Sequence, residues 1–209
     1  ADHAIGLILA HRRQIVSGDR ALRAGEWLPG GKTITRSIAG ARLGIVGMGS
    51  IGIAIAARAD VLRMTTHWWG PRDKPGLAWP RSESLEALAA ESDILVVAAR
   101  ATDDNRGMIS AAILDALGPD SLLVNVARGQ LVDEDALIDA LRAGRLGGAA
   151  LDVYAQEPTD PARWVDVPHC ILTPHTGGAT DAAVAQMAQM MLANIRAFVA
   201  EEPLPNAVI

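Results

Sequence analysis

Ala41-Arg42-Leu43-Gly44-Ile45-Val46-Gly47-Met48-Gly49-Ser50-Ile51-Gly52-Ile53-Ala54-Ile55-Ala56-Ala57-Arg58 is the stretch that decides the fold of this chain. A short apolar run ends in a glycine turn, and a helix-forming Ile/Ala segment follows. The pattern predicts strand, tight turn, helix. Each glycine has its own task. Gly47 allows the sharp turn, Gly49 lets backbone approach a pyrophosphate, and Gly52 lets the helix pack closely on its strand. The N–H groups at the start of the new helix favour an anionic phosphate. By itself a GxGxxG run carries little weight, and the flanking strand and helix are what make it a dinucleotide site.

Outward from that turn, strands and helices alternate. Met64–Trp69 is β-prone, and a loop Gly70-Pro71-Arg72-Asp73-Lys74-Pro75-Gly76 follows it. Helices are expected at Ser84–Glu91, at Ser110–Leu117 before Gly118-Pro119, and from a cap at Asp133 to Ala143, closed by Gly144. Asp93–Ala98 and Ser121–Ala127 are apolar enough for parallel strands covered on both faces. Gly148–Val153 and His169–Thr173 complete the strands. The order predicts an α/β fold, a doubly wound parallel sheet of the Rossmann type with flanking helices.

Before the turn, Ile5, Ile8, Leu9, Ile15 and Val16 stand at near-helical spacing, so one helix is expected over Ala1–Val16. Residues 17–40, with Gly25-Glu26-Trp27-Leu28-Pro29-Gly30-Gly31, read as a helix end and a polar loop. The abrupt opening on a helix, without methionine or a preceding strand, reads as a chain that starts mid-protein. After the sheet, Thr180–Ala200 reads as one long helix whose Met187, Met190 and Met191 are expected to pack in a core. The resulting division is a helix and loop over 1–40, a dinucleotide-binding domain over 41–180, and a C-terminal helix over 181–209.

Composition narrows the class. The chain has 209 residues, half of them hydrophobic, and a formal charge of −5. That balance argues against nucleic acid or an anionic membrane as partner. No apolar run is long enough to span a bilayer. The single cysteine, Cys170, lies in an apolar run, so a buried structural thiol is expected and a disulfide framework is not. A soluble α/β protein of a reducing, cytoplasmic compartment is the expectation.

Ligands on such sheets bind at the carboxyl ends of the strands. Arg128-Gly129 follows one strand. Asp152, with Glu157-Pro158 beyond it, follows the next, and Pro174-His175-Thr176-Gly177-Gly178 follows the last. Singly, each is an ordinary loop residue. Together they bring a cation, a carboxylate and an imidazole to one sheet edge.

These stretches resemble the D-isomer-specific 2-hydroxyacid dehydrogenases, with their glyoxylate/hydroxypyruvate reductase-like members. The matching runs are Gly47–Gly52, Asn125–Asp133, Gly148–Tyr154 with Glu157-Pro158, and Thr173–Gly178, and Asn105-Arg106-Gly107-Met108-Ile109 also fits. The likeness extends over essentially the whole chain, although the family's catalytic domain takes in a segment ahead of the position matching Ala1.

The resemblance implies hydride transfer between a nicotinamide cofactor and a 2-oxo acid or D-2-hydroxy acid. His175 would be the general acid and, in oxidation, the base. Glu157 would pair with the imidazolium and raise its pKa. Arg128 would hold the substrate carboxylate, and Asp152 would accept from the nicotinamide carboxamide. Gly47, Met48, Gly49, Ser50, Ile51, Gly52, Arg72, Thr102, Ala127 and Gly178 complete the implied cofactor set. No metal is called for, and a homodimer is expected through the apolar stripe of the helix Ala1–Val16, a region that in this family packs between two subunits. A dinucleotide-sensing protein without turnover is an alternative, but a sensor has no need for the acid. A phosphite- or formate-type dehydrogenase is another, and the formate type carries Gln where Glu157 stands.

NADP is expected over NAD. NAD enzymes carry an acid about 20 residues past the glycine turn that binds the ribose 2′-OH. Here the second strand ends in His67-Trp68-Trp69-Gly70. Gly70 repels no 2′-phosphate, and Arg72 can pair with one, with Lys74 adding attraction.

Overall fold

A computed structural model describes residues 1–27 and 34–207. Of the loop Gly25–Gly31, residues 28–31 lie outside the described ones. The chain divides into two compact units, Ala1–Pro174 and His175–Ile209.

The first unit is built on six parallel strands: β1 (Arg42–Val46), β2 (Thr65–Trp69), β3 (Ile94–Val97), β4 (Leu122–Asn125), β5 (Gly148–Leu151) and β6 (Cys170–Leu172), in the order β2-β1-β3-β4-β5-β6. The expected doubly wound sheet is present. Strand β3 shows why its sequence is an unbroken apolar run. Leu95 and Val97 enter one core cluster and Ile94 and Val96 the other, so the period-two alternation feeds two buried faces.

Helices α1 (Asp2–Arg12) and α3 (Ser50–Val61) contribute to the second cluster, and α4 (Leu85–Ala90), α5 (Ala111–Leu117) and α6 (Glu134–Arg142) to the first. Two caps read from the sequence hold. Asp133 accepts from the Ala136 N–H at 3.1 Å, and Gly144 ends the helix at φ +66°.

The opening segment differs from the expected single helix. Gln14, in the left-handed region at φ 53°, separates α1 from α2 (Ile15–Arg23), so helix extends past Val16. The first helix is part of the core: Ala4, Leu7 and Ile8 are buried against a face that includes Val124 and Ala150. Strand β5, reading Gly-Ala-Ala-Leu, has little side-chain bulk to hold the helix away. A Cβ built on Gly148 would stand 2.0 Å from His11 Nε2.

The second unit contains one long helix, α7 (Asp181–Val199), whose N-cap Thr180 accepts from the Ala183 N–H at 3.1 Å. The methionine expectation is corrected here. Met187, Met190 and Met191 are exposed, as are Val184, Leu192, Ile195 and Phe198. The apolar spacing is that of a packing helix, but among the described residues of this unit there is no second helix or strand to receive it. No described helix is long and apolar enough to cross a membrane.

Candidate functional site

The chain leaves β1 toward β2 on one side, and the later strands continue on the other, from β3 to β6. That reversal opens a crevice at the carboxyl ends of β1 and β3, where such sheets take nucleotides. A cleft of about 840 Å³ occupies it. Gly47, Met48, Gly49, Ser50, Ile51, Arg72, Thr102, Ala127 and Arg128 all line it.

The glycines act as their chemistry requires. Gly47 has φ +95°, and a Cβ there would lie 2.5 Å from Ala99 Cα, so any side chain would collide with the loop after β3. A Cβ on Gly52 would lie 2.2 Å from the Gly47 carbonyl oxygen. Gly52 therefore seats α3 on β1 and does not itself line the cleft. A Cβ on Gly49 would meet nothing within 4 Å, so the glycine keeps that side of the turn open. The N-terminus of α3 carries no side-chain cap. Its first N–H groups are thus available to an anion, and the site fits a pyrophosphate.

At the β2 end, Lys74 Nζ donates to the Met48 carbonyl at 2.8 Å and so sits across the glycine turn. Arg81 Nη2 donates to the Gly70 carbonyl at 2.8 Å, and its guanidinium lies 5.8 Å from the Trp68 ring centroid. Arg81 thus anchors the start of the loop that carries Arg72. Asp73 accepts from the Lys74 N–H at 2.9 Å. Farther along, the Thr102 N–H donates to Asn105 Oδ1 at 2.8 Å, and Gln130 Nε2 donates to the Thr102 carbonyl at 3.2 Å.

The loop after β4 is clamped from below. Asn125, only 1% exposed, accepts from the Ala127 N–H through Oδ1 and donates through Nδ2 to the Arg128 carbonyl, both at 3.1 Å. Arg128 Nη1 donates to the Ala127 carbonyl at 2.6 Å. A Cβ on Gly129 would fall 1.8 Å from the Tyr154 carbonyl carbon. Only glycine lets the Arg128 loop lie this close to the loop after β5. Neither positioning residue was singled out from the sequence. The available signal was an amide at the end of an otherwise apolar strand.

Asp152 is 2% exposed and does not line the cleft. Its Oδ1 accepts from Thr173 Oγ1 at 2.6 Å, and His3 Nε2 stands 3.1 Å away. Glu157 Oε1 accepts from the Tyr154 N–H at 3.0 Å, and the Glu157–Pro158 peptide is cis. Tyr154 Oη donates to the Thr173 carbonyl at 2.9 Å. Burial, with smaller contributions from Cys170 and Asp152, pushes its phenol up to about 12. Tyr154 is thus a neutral donor. Cys170 is half-buried, and burial pushes its thiol up to about 12, as suits a structural position.

His175 and Gly178 open the second unit. His175 has φ 52°, a left-handed backbone in which the chain turns sharply after Pro174. Among the described residues no cluster of three His, Cys, Asp or Glu side chains could hold a metal ion.

Residues 5–177 match the family model described as D-isomer specific 2-hydroxyacid dehydrogenase, NAD binding domain. The chain belongs to this family. Glyoxylate/hydroxypyruvate reductase A HPR2 of Arabidopsis thaliana is 40% identical over 209 residues, which is 100% of this chain and 67% of that protein. Hydroxyphenylpyruvate reductase of Plectranthus scutellarioides is 39% identical with the same coverage. The structure of an NADPH-dependent glyoxylate/hydroxypyruvate reductase from Sinorhizobium meliloti, in complex with NADP and malonate, matches with a TM-score of 0.88 and 32% identity. That match covers 100% of this chain and 69% of the other. The chain is a 2-hydroxyacid dehydrogenase-type oxidoreductase, and it spans about two thirds of the length of these relatives.

Proposed function

We propose that this chain works in the reduction of a small 2-oxo acid of the glyoxylate or hydroxypyruvate kind, with NADPH preferred to NADH. The observation that carries the reading is the make-up of the cleft. Gly70 stands where an NAD enzyme has its carboxylate, Arg72 and Lys74 line the same end, and Arg128 lines the other. The S. meliloti relative, described as NADPH-dependent and holding NADP, supports the choice of cofactor.

When bound, the reduced nicotinamide supplies the hydride. The residues of the chain do the rest. The Arg128 guanidinium holds the substrate carboxylate in a planar, two-point grip. His175 protonates the developing alkoxide oxygen, and in the reverse direction its neutral imidazole removes that proton. Glu157 stabilises the imidazolium, and Asp152 accepts from the carboxamide and fixes which ring face is presented. The exposed Ile15 and Leu22 on α2, with Trp27, form the surface through which two copies pair. The lone, half-buried cysteine suits a reducing, cytoplasmic setting.

The decisive experiment compares kcat/KM for NADPH and NADH across a panel of 2-oxo acids. A preference for NADPH with glyoxylate or hydroxypyruvate is expected. A preference for NADH overturns the cofactor reading. Binding of cofactor without reduction of any 2-oxo acid overturns the catalytic one.

A further inference from the structure

His3, in the first turn of α1, lies far from β5 in sequence, yet its ring reaches the buried carboxylate of Asp152, directly after that strand. Nε2 lies 3.0 Å from Thr173 Oγ1 and 3.1 Å from Asp152 Oδ1. The Thr173 hydroxyl donates to the same Oδ1 at 2.6 Å. With the proton on Nε2, one imidazole N–H serves both oxygens while the hydroxyl serves the carboxylate. The three side chains come from α1, the end of β5 and the end of β6. They form a closed triangle at the carboxyl edge of the sheet.

A carboxylate this buried needs donors to stay ionised and to hold one rotamer. Hydrogen bonds to a charged acceptor are the stronger kind. We propose that His3 is a positioning residue for Asp152, and that it fixes the carboxylate against which the nicotinamide carboxamide is placed. The proposal rests on the reading that Asp152 meets that carboxamide. It makes α1 part of the cofactor site. Such outer partners characteristically govern the residues they orient.

The two halves of the cofactor separate the possibilities. Binding of NADPH and of 2′-phospho-ADP-ribose, which lacks the nicotinamide, is measured by calorimetry on the full chain, with NADH and ADP-ribose as a second pair. In His3→Ala the nicotinamide-containing member of each pair weakens about 10-fold while the truncated member is unchanged. His3→Gln, which keeps an N–H donor, restores most of the loss. Equal weakening of both members in His3→Ala shows a merely structural role and overturns the proposal. Asp152→Ala should lose the same discrimination. If it does and His3→Ala does not, the proposal fails and the Asp152 reading stands. If Asp152→Ala keeps full discrimination, the Asp152 reading itself fails, and the proposal with it. A measurement without substitution guards against an unfolded variant. The 15N signals of the His3 ring should shift when NADPH is added and stay in place with 2′-phospho-ADP-ribose. Unmoved His3 signals with saturating NADPH overturn the proposal.

Discussion

Asn125 holds Arg128 by its backbone: the buried amide donates to the Arg128 carbonyl at 3.1 Å and accepts from the N–H of Ala127. A side chain at the end of β4 thereby sets where the guanidinium starts. Arg128→Lys should lower kcat/KM by about 100-fold or more, because an ammonium cannot copy the planar fork. Asn125→Ala should lose about 1–3 kcal/mol of stability by stranding buried groups, and kcat/KM should fall with it. Near-normal kinetics in Arg128→Lys would place the substrate carboxylate elsewhere.

His175→Ala should lower kcat by about 10²–10⁴-fold with little change in the affinity for NADPH. Glu157→Gln should move the pH–rate profile, since a neutral amide cannot hold an imidazolium. Its carbonyl can still accept from the Tyr154 N–H, so the loop is kept. An unmoved profile contradicts the pairing.

Lys74 is bound to the Met48 carbonyl and lines the same cleft as Arg72. Arg72→Ala should reduce the NADPH-over-NADH preference by about 10-fold or more. Lys74→Ala should weaken both cofactors, because the Met48 carbonyl lies in the turn that faces the pyrophosphate. Steady-state kinetics with each cofactor separates the two effects. An unaltered preference in Arg72→Ala removes it from 2′-phosphate recognition.

Gly129→Ala should be among the most damaging single changes, about 4 kcal/mol or more. Its Cβ would overlap the Tyr154 backbone, which has no flexible end to swing aside. Thermal or urea unfolding reads the loss. A melting temperature within a degree of the parent would show that the two loops can separate freely.

Burial lowers the pKa of His11, outweighing the bond from its ring to the His169 carbonyl at 3.2 Å. The folded chain therefore prefers the neutral ring, while the unfolded chain takes up a proton near pH 6.5. Stability is level above that pH and falls as pH drops below it, until the folded-state pKa is passed. Asp93 acts the same way in a more acidic window, because Arg42 holds its carboxyl below the usual range. Melting temperatures measured from pH 8 to pH 5.5 should fall, and His11→Gln should flatten the slope.

The legible parts of the fold were those where a local pattern has one structural solution. Gly47–Gly52 between an apolar strand and an Ile/Ala helix, and the apolar run at β3, each admit little else, so the sheet followed. Arg128, Asp152 and Glu157 were legible as residues of the loops that follow strands. Less legible were the contacts between residues far apart in sequence. Nothing near Gly129 shows that Tyr154 lies against it, and nothing near His3 points to Asp152. The break at Gln14 was hidden because helix-forming residues continue on both sides of it. The methionines of α7 misled because apolar spacing records a face, not what covers it.

The strand order has a consequence for how this molecule can change. The loop proposed to tell one dinucleotide from the other follows β2 at one margin of the sheet, whereas Arg128, proposed to hold the substrate, follows β4, beyond β1 and β3. Loop 70–76 can therefore be exchanged without disturbing the clamp at Asn125 or the close approach at Gly129. On the proposed roles, currency and substrate are adjustable on separate dials, so a lineage, or an engineer, can retune one while the other stays fixed.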